Sequence, residues 1–201
     1  MSKPKTKKHM SKPKMKGNNL HPLQKLIVLH LAESEPQTIN QTVKAISKSY
    51  KPTWIAFKSL EKKKLIKKTD VKEYRGREYD RYWLTDEGMI MAMMEGASSK
   101  KLLEQTKILY PEAEIIHCFL EMMPFIEPEV MKMSYASVKG KGKFGFIEVA
   151  TLFLSQAAMP MDIETAKELK TVLKKYPAQY NMLKLAVQTM IDQLSELISE
   201  D

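Results

Sequence analysis

The stretch between residues 38 and 88 limits the possible folds of this chain more than any other part of it. Two short segments there carry apolar residues at helical spacing, on either side of a turn at residues 49–52. Two runs rich in β-favouring side chains follow, at residues 65–68 and 79–84, with Gly76 between them. This order predicts a short helix, a turn, a second helix and then a β-hairpin.

The second of these helices is predicted to run from about residue 53 to residue 63. Ala56, Phe57 and Leu60 form one apolar stripe, which we expect to face the core. The side chains that fall mostly outside this stripe are both apolar and polar: Trp54, Ile55, Lys58, Ser59 and Lys62. We expect this outer side to be open to a partner. The alternative is that Trp54 or Ile55 packs against the hairpin.

The hairpin is predicted to have a loop over residues 71–79, in which Lys72, Arg75 and Arg77 surround Gly76. Glycine favours a tight turn with a positive φ. Residues 44–81 contain 13 basic and 5 acidic side chains. Because this surplus coincides with the second helix and the hairpin, it favours a polyanionic partner over an ordinary solvated surface.

Three motifs mark this stretch: SLEKKKLIKK at residues 59–68, the Arg-Gly-Arg tip at residues 75–77 and YWLTDEG at residues 82–88. Their order and spacing resemble those of winged helix-turn-helix transcriptional regulators, the MarR- and PadR-like class in particular. The resemblance covers less than half of the chain and implies a winged-helix DNA-binding domain over residues 20–96. That family often has glycine where this chain has Lys64, so we expect either an irregular backbone or a longer helix there.

The resemblance implies that the second helix enters the major groove of double-stranded DNA, while the hairpin, called the wing, contacts the backbone or the minor groove. Lys58 would contact guanine or phosphate, and Trp54 and Ile55 would contact thymine methyl groups. The candidate DNA-binding residues are Lys51, Thr53, Trp54, Ile55, Lys58, Ser59, Lys62, Lys72, Arg75 and Arg77.

Residues 1–19 are predicted to form a disordered basic arm. The motif MSKPK occurs at residues 1–5 and again at residues 10–14, and residues 1–17 contain seven lysines and no acidic residue. Such a segment lacks the apolar side chains needed to fold alone, and it is suited to neutralising phosphates without reading sequence. The alternatives are a solubilising tail and an upstream start codon that duplicates one at Met10.

Residues 97–201 are predicted to be almost wholly helical, with helices near 98–109, 112–123, 127–137, 146–158, 162–176 and 178–199. In the last helix, side chains at alternating steps of three and four form a packing seam: Tyr180, Leu183, Val187, Met190, Leu194 and Leu197. The seam favours either a homodimer or the core of one chain. The region would therefore serve dimerisation or sensing. The basic segment 139–145 is predicted to be a solvated hinge, or else a second contact to a nucleic-acid backbone.

Composition limits the remaining possibilities. Cys118 is the single cysteine, so no intrachain disulfide can form, and fifteen methionines are more typical of adaptable packing than of a copper site. No apolar run reaches the roughly 20 residues that span a bilayer, and no catalytic or metal-binding pattern is recognisable. We expect a non-enzymatic, cytoplasmic protein without a cofactor. The sequence identifies no small-molecule effector.

The predicted fold is mainly α with a small β-hairpin wing: a winged helix-turn-helix followed by an all-helical C-terminal region. The predicted function is sequence-specific binding of double-stranded DNA in transcriptional regulation. Two alternatives remain open. One is a protein-interaction module of a larger assembly, and the other is a chromatin-type DNA binder with little sequence preference.

Deleting residues 1–17 is expected to weaken binding to every duplex, because the seven lysines would contact phosphates rather than bases. Counterion release predicts a shallower slope of log affinity against log salt, by about 0.9 for each phosphate that the arm no longer neutralises. The measurement is duplex affinity across a salt titration for both chains. An unchanged slope would show that the arm is only a tail.

Overall fold

The computed structural model describes residues 20–126 and 162–199. Over these residues the chain is mainly helical, with one small antiparallel sheet of three strands in the order β1-β3-β2. The elements are α1 (Pro22–Ala32), β1 (Gln37–Thr38), α2 (Ile39–Ala45), α3 (Tyr50–Lys62), β2 (Ile66–Tyr74), β3 (Arg77–Leu84), α4 (Asp86–Met94), α5 (Ser99–Leu109), α6 (Glu114–Met122), α7 (Ile163–Lys174) and α8 (Pro177–Ser199). A short 3₁₀ turn, Met123–Phe125, follows α6.

The prediction of a mainly helical chain with a small β-hairpin is confirmed over the described residues. The predicted hairpin loop at 71–79 is wrong, because β2 continues to Tyr74, β3 resumes at Arg77 and the turn is only two residues long. Arg75 and Gly76 both have a positive φ there, at 52° and 70°. Such a turn matches the right-handed twist of the two strands and lets pairing continue to its end. The short strand β1 was not predicted.

Four of the predicted C-terminal helices correspond to α5, α6, α7 and α8. The predicted basic arm, the helices near 127–137 and 146–158, and the hinge at 139–145 lie outside the described residues. In α8 the structure describes the backbone, but the side chains of most positions in the predicted seam also lie outside the described part. Among the described helices, none combines the length and the apolar character that crossing a bilayer requires.

The base of the sheet is packed between helices on both sides. On one side the Phe57 ring of α3 meets the Tyr82 ring edge-on, with ring centres 5.3 Å apart. On the other side Trp83 is fully buried, and its Nε1 donates hydrogen bonds to the carbonyl oxygens of Leu31 at 2.8 Å and Ser34 at 3.0 Å. Leu31 lies in the last turn of α1, where carbonyl groups lack partners within the helix. Trp83 therefore fixes the C-terminal end of α1 to β3.

The helix α3 ends in a Schellman motif whose left-handed residue is a lysine. The N–H of Leu65 donates to the Leu60 carbonyl oxygen at 3.0 Å, and the N–H of Lys64 donates to that of Glu61 at 2.9 Å. Lys64 has a φ of 58°, whereas α4 ends in the same way with glycine, Gly96, at the equivalent position. Of the two alternatives for Lys64, the structure shows the irregular backbone.

The first turn of α4 packs directly on the junction that follows α3. The hydroxyl of Thr85, the N-cap residue, donates to the Lys64 carbonyl oxygen at 2.6 Å and accepts from the N–H of Gly88 at 3.1 Å. The N–H of Thr85 donates to the Leu65 carbonyl oxygen at 3.1 Å. A Cβ atom on Gly88 would lie 1.9 Å from that same oxygen, so only glycine fits. The base of the hairpin is thereby closed against α3 and α4 together.

The helix α7 is attached to α5 and α6 through the carboxylate of Glu121. It accepts hydrogen bonds from Lys175 Nζ at 2.7 Å, the Tyr176 hydroxyl at 2.9 Å and Lys107 Nζ at 3.2 Å. Burial opposes ionisation of this carboxyl, but the three donors outweigh it and lower the pKa of Glu121. The N-cap of α7 is Asp162, whose Oδ1 accepts from two backbone N–H groups of the first turn.

Replacing Lys64 with glycine is expected to raise the free energy of unfolding by about 0.5–1 kcal/mol. Glycine adopts a positive φ without the roughly 1–2 kcal/mol that a side chain costs, although it loses more freedom on folding. Lys62→Gly is the control, because Lys62 lies in the helix itself and the substitution should lower stability by about 1 kcal/mol. The measurement is urea denaturation of the three chains. Equal destabilisation by both substitutions would contradict the Schellman geometry.

Candidate nucleic-acid interface

The helix α3 has one buried face and one open face. Four side chains form the buried face: Thr53, Ala56, Phe57 and Leu60. On the open face Tyr50, Trp54 and Ile55 are exposed to 50%, 44% and 53%. Large apolar side chains exposed together in this way are typical of a binding surface rather than of an ordinary solvated helix.

Eight of the ten candidate DNA-binding residues are exposed. They are Lys51, Trp54, Ile55, Lys58 and Lys62 on α3, with Lys72, Arg75 and Arg77 on the hairpin. Lys72 lies within β2 rather than in a loop, while Arg75 and Arg77 form the tip of the hairpin. The surface thus combines an open helix face and a basic hairpin tip.

One candidate is wrong, and another is already engaged in packing. Thr53 is fully buried, and its hydroxyl donates to the Ser49 carbonyl oxygen at 2.8 Å. It belongs to the inner stripe because it lies one helical turn before Ala56. Ser59 is partly buried, and its hydroxyl accepts a hydrogen bond from Gln24 Nε2 at 2.8 Å. Ser59 therefore ties α3 to α1.

The ammonium groups of Lys58 and Lys68 are exposed but ion-paired. Lys58 Nζ lies 2.8 Å from the Glu61 carboxylate, and Lys68 Nζ lies 2.6 Å from that of Asp80. The hydrogen bonds that the two ammonium groups donate to these carboxylates raise the pKa of each lysine. Lys58 Nζ also lies 5.9 Å from the centre of the Tyr82 ring. A base or phosphate that binds Lys58 therefore competes with Glu61 for the ammonium group.

A bulge at Thr69 decides which hairpin side chains share a face. Pairing shifts between Lys68, which lies opposite Tyr82, and Asp70, which lies opposite Arg81. Beyond the bulge and the Asp70–Arg81 pair, one face, here named the basic face, consists of Lys72, Tyr74, Arg77 and Tyr79. The other, named the acidic face, consists of Val71, Glu73, Glu78 and Asp80. If Thr69 lay opposite Arg81 in a regular ladder, Lys72 would lie opposite Glu78, among these carboxylates.

Arg81 stabilises the bulge and is not free to bind an anion. Its Nε donates to Asp70 Oδ1 at 2.8 Å, and a second nitrogen bonds the other oxygen of the same carboxylate. The guanidinium also reaches the Pro36 carbonyl oxygen at 3.5 Å. The hydrogen bond from Arg81 lowers the pKa of Asp70. This pair holds the two strands in the shifted register.

Two grooves run along β3 and share three lining residues: Thr38, Asn40 and Tyr79. The α3 groove, of about 260 Å³, is also lined by Ile39, Tyr50, Trp54, Lys58, Glu78, Asp80 and Tyr82. The α2 groove, of about 350 Å³, is also lined by Gln41, Lys44, Lys72 and Tyr74. The α3 groove contains both signs of charge. The lining of the α2 groove contains two lysines and no carboxylate.

Elsewhere in the described part of the chain, the ionisable side chains form neither a metal-binding group nor a reactive thiol. No group of three or more histidine, cysteine, aspartate or glutamate side chains is placed to hold a metal ion among these residues. Burial raises the pKa of the Cys118 thiol to about 11, which keeps it protonated near neutral pH. These observations leave the surface formed by α2, α3 and the hairpin as the candidate site.

No protein-family model, curated protein or solved structure matches this chain. The function is therefore inferred from the geometry and charge of the surface formed by α2, α3 and the hairpin. Both can be tested residue by residue, because its principal side chains are exposed.

Several groove residues were not predicted from the sequence, among them Asn40, Lys44, Tyr50, Tyr74 and Tyr79. Tyr50 was missed because α3 begins three residues earlier than predicted. It lies four residues before Trp54, a spacing that places both on one helix face. The position of Tyr74 on the same face as Tyr79 depends on the bulge at Thr69, which no local sequence pattern marks.

The two tryptophans are expected to report different environments. Replacing Trp54 with phenylalanine should leave only emission from Trp83, which is enclosed and should be quenched weakly by acrylamide. The unmodified chain should show an additional, readily quenched component from Trp54. Quenching curves for the two chains provide the measurement. Strong quenching in the Trp54→Phe variant would contradict the burial of Trp83.

Proposed function

We propose that this chain is a winged helix-turn-helix protein that binds double-stranded DNA, with α3 as the recognition helix and the β2–β3 hairpin as the wing. The observation that carries the proposal is the open face of α3, where exposed Trp54 and Ile55 lie among the lysines 51, 58 and 62. The major groove offers thymine methyl groups and guanine acceptors, and phosphates flank it. Apolar and cationic side chains on one helix face match that combination.

The order of the elements supports this proposal. The helices α2 and α3 are joined by a short turn, α3 packs against α1 and α2 through its buried face, and the hairpin follows directly. A helix supported in this way can enter the major groove with its outer face free. The same order underlies the resemblance to the MarR- and PadR-like regulators.

In this proposal one set of side chains contacts the bases and determines sequence preference, and another set contacts the DNA backbone. Lys58 lies near the middle of the open face. If its ammonium group bound a guanine edge in place of the Glu61 carboxylate, recognition would depend on the base present. Lys51 and Lys62 form no ion pair with a described carboxylate, which suits them to phosphates. Arg75 and Arg77 at the wing tip suit phosphate or a narrow minor groove.

The regulatory part of the proposal rests on the resemblance. In it the chain acts without a cofactor or a catalytic step, and residues 1–19 add contacts to the backbone. The helix α8 would form the dimer seam, so that two recognition helices bind two half-sites. A small-molecule effector is not part of the proposal.

A protein-interaction module is the second candidate, and the α3 groove favours it. Glu78 and Asp80 line this groove beside Trp54, and Glu61 neutralises Lys58. These carboxylates would oppose phosphates that approach between α3 and the hairpin. A partner segment with apolar and cationic side chains would instead complement the groove.

Replacing Lys58 with alanine is expected to cost about 1–3 kcal/mol of binding free energy on a preferred duplex and much less on a scrambled one. Arg75→Ala and Arg77→Ala should weaken both duplexes more evenly, because phosphate contacts carry no sequence information. The preferred duplex is selected from a random library, and affinities are measured at fixed salt. Lys170→Ala, on the exposed surface of α7, removes the same charge away from the site and serves as the control.

The outcomes separate the candidates. Equal losses on both duplexes for Lys58→Ala would remove its base-reading role and favour a binder with little sequence preference. If the unmodified chain shows no measurable affinity for any duplex, the DNA proposal fails and the interaction module is favoured.

A further inference from the structure

We propose that the α2 groove binds a nucleotide unit, meaning a phosphate together with an unpaired base. This site is separate from the open face of α3 and goes beyond duplex binding. The unit could belong to a free nucleotide or to a single strand, since both present the same phosphate and base.

The charge of the groove selects for an anion. Lys44 approaches from α2 and Lys72 from the basic face of the hairpin. Among the described residues neither forms an ion pair, and no carboxylate lines the groove. The neighbouring α3 groove contains Glu78 and Asp80 instead. A phosphate would therefore be attracted to one groove and repelled by the carboxylates of the other.

The aromatic side chains of the groove suit an unstacked base. Tyr74 is 58% exposed, and Tyr79 lies beside it on the same face of the hairpin. The guanidinium carbon of Arg75 lies 5.2 Å from the centre of the Tyr74 ring. Stacking of a base on an exposed ring beside a cationic groove is the usual way in which proteins bind unpaired nucleotides. A base within a duplex has no free face for such a contact.

Two amides complete the site at the edge of the base. The N–H of Thr38 donates to Gln41 Oε1 at 2.9 Å, while the Thr38 hydroxyl accepts from the N–H of Gln41 at 3.2 Å. This reciprocal cap fixes the Gln41 side chain and leaves its Nε2 as a donor. Asn40 adds a second exposed amide. Amides of this kind can hydrogen-bond the polar edge of a base.

The size of the groove agrees with this ligand class. Its volume of about 350 Å³ lies at the lower end of the roughly 300–1,000 Å³ found for small-ligand sites. One nucleotide would fill it, and its open side would let a strand continue in either direction.

The test uses the full chain with a short labelled oligothymidylate, adenosine 5′-monophosphate and inorganic phosphate. Tyr74→Ala should weaken binding of the oligothymidylate by about fivefold to a hundredfold, while Tyr74→Phe, which keeps the ring, should bind nearly normally. Lys72→Ala should weaken it and reduce the salt slope by about 0.7. Lys68→Ala removes a lysine from the same strand but on the opposite face, and should have little effect.

The two sources of the nucleotide unit are distinguished by competition. If adenosine 5′-monophosphate displaces the oligothymidylate, a free nucleotide suffices; if only unlabelled single strand does so, the unit belongs to a strand. Either result supports the site. Displacement by inorganic phosphate as effective as that by the nucleotide would overturn it, as would equal weakening by Lys68→Ala and Lys72→Ala. Absence of oligothymidylate binding would also overturn it.

Duplex binding is measured in parallel so that this proposal and the proposed function can fail independently. Tyr74→Ala should leave duplex affinity within about twofold, because a paired base cannot stack on the ring. If the chain bound the oligothymidylate but no duplex, the proposed function would fail and the nucleotide site would still be supported. Equal losses of duplex and single-strand binding in Tyr74→Ala would show that the groove is part of one general DNA surface.

Discussion

The close approach of α4 to the backbone of Leu65 is the constraint on which the rest of the structure depends. The Leu65 carbonyl oxygen accepts the N–H of Thr85 and lies 1.9 Å from the position that a Cβ of residue 88 would occupy. The recognition-helix candidate α3, both strands of the hairpin and α4 all converge at this point. A shift here would change the angle between α3 and the hairpin, and with it both grooves.

Trp83 extends the same constraint to the other side of the sheet. Its ring is enclosed, and its two hydrogen bonds bind the end of α1. The backbone of β3 is therefore held by α1 on one face and by α3, through Phe57 and Tyr82, on the other. The distal half of the hairpin has no such support and is mostly exposed. A rigid base and an exposed outer half are suited to presenting side chains to a large partner.

The helices were predicted because their apolar periodicity is strong, and the hairpin because β-favouring side chains lie on both sides of Gly76. The inner stripe of α3, for example, follows from the spacing of Ala56, Phe57 and Leu60. The hairpin loop was predicted too long because strongly polar strands resemble loops in sequence. The grooves could not be predicted, since their lining depends on a bulge and on β1, whose two residues pair with β3. Thr53 was misplaced for a simpler reason: its hydroxyl is satisfied within the helix, so a polar residue can face the core.

The bulge at Thr69 makes the face of each distal β2 side chain depend on register rather than on composition. Side chains alternate along a strand, so the unpaired residue exchanges the two faces of β2 beyond that point, relative to a regular pairing of the same sequence. If Thr69 lay opposite Arg81 in a regular ladder, Lys72 would lie opposite Glu78 and Glu73 opposite Arg77, and each distal face would carry both signs of charge. The bulge thus separates charges that a regular ladder would pair across the strands. One set of charged residues, unchanged in number, gives a hairpin with two electrically opposite sides.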